Sequence, residues 1–152
     1  MIVATAVEPA LETFKLVLDT NVVLDLLLFD DPRVRCLAEG IAATRLSVVT
    51  DAHCTEELRR VLRYANFALS DATQAALLHR YLGFAHDVEG RPAATHHLRC
   101  SDPDDQKFLD LAWTTEAHLL TRDNALLSIG KRYAAKRGKR ITTPDIFFAG
   151  TA

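Results

Sequence analysis

The sequence is short of cysteine: Cys36, Cys54 and Cys100 are its only three. They are odd in number, widely spaced and fit no zinc or redox motif, so a disulfide framework is not expected and a reduced, cytoplasmic setting suits them. Charge of either sign is not in surplus. Eighteen Lys and Arg against 20 Asp and Glu leave a formal net charge of −2, which excludes a protein that holds nucleic acid by bulk positive charge alone but allows a local basic patch. Long apolar runs are missing too. Val22 to Phe29, the most apolar stretch, is broken by Asp25 and falls far short of the ~20 residues that span a bilayer. The first ten residues carry Glu8 and no Lys or Arg, unlike the basic start of a signal peptide. No membrane partner is expected. Asn-Gly and Asp-Gly hairpin turns, a glycine-rich phosphate loop and a legible Ser-His-Asp arrangement are all absent.

What is present is an ordinary globular composition, 49% hydrophobic and 25% charged in 152 residues, enough for one domain with a full core. Residues 1–14 read as a loose lead-in and 15–148 as the domain. Leu16-Val17-Leu18 is apolar throughout, as a parallel strand covered on both faces should be, and stops at Asp19. Val22, Val23, Leu26 and Leu27 then recur at helical spacing. Pro32 ends that segment, and Arg33 to Ala43 reads as a second helix. Leu46 to Val49 is a strand, His53 to Arg63 a helix, and Ser70 or Asp71 opens another helix through Tyr81. Gly90 to Thr95 is a loop. Asp102-Pro103-Asp104-Asp105 is the best-marked helix start, with an N-cap residue, a proline at the first position and acids toward the positive end of the dipole. His118 to Thr121 is a strand ending just before Asp123, and Ile141-Thr142 a last strand before a helix opened by Thr143-Pro144. Strand and helix in alternation predict an α/β fold, a mainly parallel sheet with helices on both sides.

Sites in such sheets form at the C-terminal ends of strands. Asp19 and Asp123 fall at such ends, Asp105 lies in a helix's first turn, and Glu57 rides on the helix after another strand. Four carboxylates in one cleft repel unless a cation neutralises them, and hard oxygen ligands suit Mg²⁺ or Mn²⁺. Each acid alone has a plainer reading: Asp19 and Asp123 as N-caps, Asp105 as a dipole-favoured surface acid, Glu57 as a solvated helix residue.

Four segments carry a resemblance. Leu16-Val17-Leu18-Asp19-Thr20-Asn21-Val22-Val23-Leu24 looks like the opening signature of PIN-domain ribonucleases. Glu57-Leu58-Arg59-Arg60-Val61-Leu62 is similar to their second acidic motif. Asp102 to Ala112 resembles the third, and Leu119-Leu120-Thr121-Arg122-Asp123 the fourth. The subgroup it most resembles is the VapC-like toxins of type II toxin–antitoxin systems, over about residues 15 to 148. The resemblance implies a three-layer α/β/α sandwich and a Mg²⁺- or Mn²⁺-dependent endoribonuclease. Asp19, Asp105 and Asp123 would bind the metal. Glu57 would be the further catalytic acid, with Glu56 in its place if the register shifts by one. Asn21 and Thr121 would line the substrate site, while Asp102 and Asp104 fall to capping. The implied partners are RNA, a cognate antitoxin protein and a second copy in a homodimer.

Lys131, Arg132, Lys136, Arg137, Lys139 and Arg140 put six of the 18 basic residues within ten positions. They read either as a solvated helix end or as an edge that grips phosphate, Lys131 and Arg132 first. His96-His97 reads as surface, His53 lies one turn before Glu57, and Trp113 reads as core. A haloacid-dehalogenase-like phosphatase would need an Asp two residues after Asp19, where Asn21 stands. A catalytically silent PIN-like module that binds RNA or protein is the remaining alternative.

Overall fold

Leu16, Val17 and Leu18 are each at most 2% exposed, as expected of a strand with both faces covered. In the computed structural model, which describes residues 13–89 and 96–149, they end strand β1 (Phe14–Leu18), which starts two residues earlier than the apolar pattern suggests. β2 (Leu46–Thr50), β3 (Ala85–Asp87), β4 (His118–Leu120) and β5 (Ile141–Thr142) complete a sheet of order β3-β2-β1-β4-β5. Every neighbouring pair is parallel, and Leu16 stands in register with both Val48 and His118. β3 has no signature in the sequence because only Ala85 of its three residues is buried. Most of the expected lead-in, and the loop from Gly90 to Thr95, lie outside the described residues.

Eight α-helices are described: α1 (Thr20–Leu24), α2 (Arg35–Ala42), α3 (Ala52–Leu62), α4 (Asp71–Phe84), α5 (Gln106–Thr115), α6 (Asn124–Leu127), α7 (Gly130–Arg137) and α8 (Pro144–Ala149). Their starts follow capping chemistry. Asp51 accepts from the Cys54 amide at 2.9 Å and Ser70 from the Thr73 amide at 3.1 Å. The run after Asp19 is one α-turn followed by a π-helical turn, Asp25–Phe29. Among the described residues no helix is long and apolar enough to cross a membrane.

Alternation along the strands divides the core. Leu16, Leu18, Val48 and Leu120 pack with Val22, Leu37, Leu58, Leu62, Tyr81 and Phe147 on one face. Val17, Val49, Leu119 and Ile141 pack with Phe108, Leu109, Leu111, Leu126, Ile129 and Tyr133 on the other. The fold is therefore the expected three-layer α/β/α sandwich, with a sheet that is wholly parallel.

His96 corrects a sequence expectation. It is buried, not superficial: Nε2 lies 2.8 Å from Asp110 Oδ1, and Nδ1 accepts from the Leu98 amide at 3.2 Å. The ring stacks on Trp113 at 4.8 Å, and the Arg137 guanidinium covers Trp113's ring at 4.7 Å while donating to its carbonyl. These contacts fasten the segment after residue 95 to α5. Tyr133, fully buried on α7, donates its hydroxyl to the Ala117 carbonyl at 2.7 Å. Tyr133→Phe strands that acceptor without filling or emptying space, so we expect a loss of about 1–3 kcal/mol in urea unfolding.

Candidate acidic site

The acids gather beyond the C-terminal edge of the sheet. Asp19 leaves β1 with its amide bonded to the Leu120 carbonyl at 3.0 Å, so β1 and β4 end side by side. Its side chain makes no cap bond to α1 although it stands at the N-cap position. Instead Oδ2 accepts from the Thr121 hydroxyl at 2.7 Å, and that hydroxyl's oxygen accepts from the Asp123 amide at 2.9 Å. Thr121, fully buried, thus ties the first acidic motif to the fourth. Asp19 is 4% exposed, and burial pushes its carboxyl up to about 6. The Thr121 bond opposes the shift, and the charges of Glu57 and Asp123 add to it.

Asp102, Asp105 and Asp123 each place a carboxylate oxygen within 4.8 Å of the others. A 3₁₀ turn, Pro103–Asp105, brings this about. Asp102 caps it by accepting from the Asp104 amide at 3.0 Å, and so both caps and joins the cluster. Asp123 caps α6 through Oδ1, which accepts from the Ala125 amide at 2.8 Å. Asp105 lies between them, buried, and its Oδ2 has no hydrogen-bond partner. Desolvation above all, with a hydrogen bond to Asp123 and the charges of Asp19 and Asp123, pushes its carboxyl up to about 8. A buried carboxylate oxygen without a donor is costly unless something positive meets it.

Glu57 sits on the flank of this cluster. The Thr20 hydroxyl donates to Oε2, and Lys107 Nζ donates to Oε1 at 2.8 Å. Arg60 approaches the same oxygen at 3.8 Å. Glu56 instead pairs with Arg59 at the exposed surface. Asn21 is exposed at the start of α1. Arg122, between Thr121 and Asp123, meets the buried Asp25 carboxylate at 2.7 Å.

Lys131 and Arg132 are exposed on α7, but the contacts of the basic run lead away from the acids. Tyr133 reaches Ala117 just before β4, Arg137 reaches Trp113 at the end of α5, and the Arg140 amide donates to His118 Nδ1 at 2.9 Å. All these partners precede or open β4, whereas the acids follow the far ends of β1 and β4. Sequence reasoning overlooked Lys107, Arg60 and the Asp25–Arg122 pair. A signal existed for the first two, since Lys107 follows Asp105 by two positions and Arg60 lies one helical turn after Glu57.

The chain is thus an α/β/α protein with a wholly parallel sheet and a group of carboxylates at its C-terminal edge, where such folds place their sites. A family model of the PIN domain matches residues 15–125, and the chain belongs to the PIN-domain family. No curated protein matches it. PIN domains are generally metal-dependent nucleases, and a group of acidic residues is present here.

Proposed function

We propose that the chain is a Mg²⁺- or Mn²⁺-dependent endoribonuclease and the toxin of a toxin–antitoxin pair, acting on RNA in the cytoplasm. The observation that carries the metal-dependent reading is Asp105, whose buried oxygen lacks a donor among three carboxylates within 4.8 Å. Asp102, Asp105 and Asp123 fit a hard divalent cation in donor type, with Asp19 adjoining through Thr121. A cation bound there would make water a better nucleophile toward phosphorus and neutralise charge on the leaving oxygen. In the metal-free protein burial raises Asp19 to about 6 and Asp105 to about 8, so a cation taken up here would displace a proton from Asp105. Thr121 keeps Asp19 and Asp123 in fixed relation, and Glu57 anchors Lys107 at the rim. The toxin role, the antitoxin and a homodimer rest on the resemblance to VapC-like toxins.

Calorimetric titration of the metal-free protein with Mn²⁺, beside RNA cleavage with and without chelator, tests this. We expect Mn²⁺ to bind and cleavage to stop on chelation. Because protons compete for Asp105, affinity should climb as pH rises toward about 8 and level off above it. A protein that binds no Mn²⁺ and cuts no RNA is the silent module instead.

A further inference from the structure

We propose that the cavity between α3 and α5 is a phosphate subsite for the RNA backbone, with Lys107 and Arg60 as its cations; this rests on the ribonuclease reading above. The cavity, about 210 Å³, is lined by His53, Glu56, Glu57, Arg60 and Lys107. It opens beside the acidic cluster, because α5 carries both Asp105's turn and Lys107, and Glu57 faces Lys107 across it. Its two acids are already occupied. Glu56 is matched by Arg59, and Glu57 receives the Thr20 hydroxyl as well as the Lys107 ammonium. Arg60 stands 3.8 Å from Glu57 with its side chain 55% exposed, so most of its donors face the cavity mouth and solvent.

An RNA backbone presented to buried carboxylates is repelled unless positive groups meet the flanking phosphates. Arg137 and Arg140 of the basic run are fastened to Trp113 and His118, ahead of or at the start of β4, and do not take this part for the nucleotides nearest the acids. Lys107 and Arg60 do. Glu57 is then a positioning residue for Lys107: its carboxylate holds the ammonium at the rim until a phosphate oxygen competes for it. The chain's near-zero net charge does not matter here, since only the local arrangement meets the backbone.

The test is binding of a short unstructured single-stranded RNA in chelator, where no cleavage occurs, across a salt series. Wild type is compared with Lys107→Gln, Arg60→Gln and the double variant. Each lost phosphate contact on a single strand should lower the salt slope by about 0.7 and weaken binding about fourfold at physiological salt, the double variant about fifteenfold. Lys107→Arg, which keeps the charge, should restore the slope. Arg60→Gln changes an exposed side chain, so a folding defect cannot mimic its result. If wild type binds RNA but the slope ignores both cations, or follows Lys131→Gln/Arg132→Gln, the subsite is refuted and the ribonuclease reading stands. If wild type binds no RNA at all, both fall.

Discussion

Asp105→Asn is expected to abolish metal binding and RNA cleavage while making the metal-free protein more stable at slightly alkaline pH. The first half follows from position. Asp105 supplies the buried, donor-free oxygen at the centre of the cluster, and an amide of the same shape has no negative charge to offer a cation. Loss of a direct ligand should cost more than the roughly 10–100-fold typical of residues that merely support one. The second half follows from linkage. The Asp105 carboxyl sits near 3.8 in its ordinary state and is pushed up to about 8 in the fold. Between those values the folded protein keeps a proton that the unfolded chain has released, so stability falls as pH rises through the window and the loss is complete above about pH 8. Asp19, raised to about 6, acts in the same sense over a narrower range. The substituted amide does not titrate and escapes the penalty. Thermal unfolding in chelator should therefore put the variant above wild type at pH 8, by roughly 2–4 °C for each kcal/mol recovered, with the difference shrinking toward pH 4. Full cleavage by the variant, or a stability gain that grows toward acid, would defeat the assignment.

That opposition between stability and function explains what the sequence showed and what it hid. Asp19 and Asp123 were legible because each ends an apolar strand run, and strand ends are where parallel sheets place chemistry. Asp105 was legible through the apolar stripe of Phe108, Leu111 and Ala112 that follows it. Asp102 was half legible: its capping bond is local and readable, but its approach to Asp123 is tertiary and is not. The 3₁₀ turn at Pro103–Asp105 makes the difference, since it folds a dipole-favoured sequence back on the end of β4. His96 misled because its loop reads as polar, and only Asp110 and Trp113, more than a dozen residues on, make it an interior residue. The basic run is legible as a charge cluster, and the fold places only part of it. Six charges in ten positions look like a surface for phosphate, yet Arg137 and Arg140 lie over Trp113 and Phe147. The cations proposed to meet phosphate, Lys107 and Arg60, stand on different helices, and only their offsets from Asp105 and Glu57 hint at them in the sequence. β3 at the sheet's edge, with two of three residues exposed, left no periodic trace.

Asp25 was visible in the sequence only as an interruption of the Val22–Phe29 run, and its place in the fold predicts the largest loss of stability of any substitution considered. The carboxylate opens the π-helical turn after α1 and is 3% exposed. Arg122 meets it at 2.7 Å from the loop between Thr121 and Asp123, with its own side chain 30% exposed. Burial raises the Asp25 carboxyl, and the Arg122 charge is the main influence holding it down. The two partners are therefore not equivalent. Arg122→Ala leaves the buried carboxylate with only the weaker influence of the Arg33 charge and should cost about 3–5 kcal/mol. Asp25→Asn leaves a guanidinium that can turn toward water, and should cost closer to the roughly 0–1 kcal/mol of a partly exposed pair. Without Arg122 the Asp25 carboxyl rises further, so the folded state keeps its proton to higher pH and the deficit of Arg122→Ala should deepen from pH 5 to pH 8. Asp25→Asn/Arg122→Gln removes both charges and should recover part of what Arg122→Ala loses. Since Arg122 sits between the residue that orients Asp19 and the acid that completes the cluster, Arg122→Ala should also weaken Mn²⁺ binding where Asp25→Asn does not. Urea unfolding at the two pH values, paired with Mn²⁺ calorimetry on the folded fraction, measures both effects; equal and small losses for the two single variants would show that the pair is incidental.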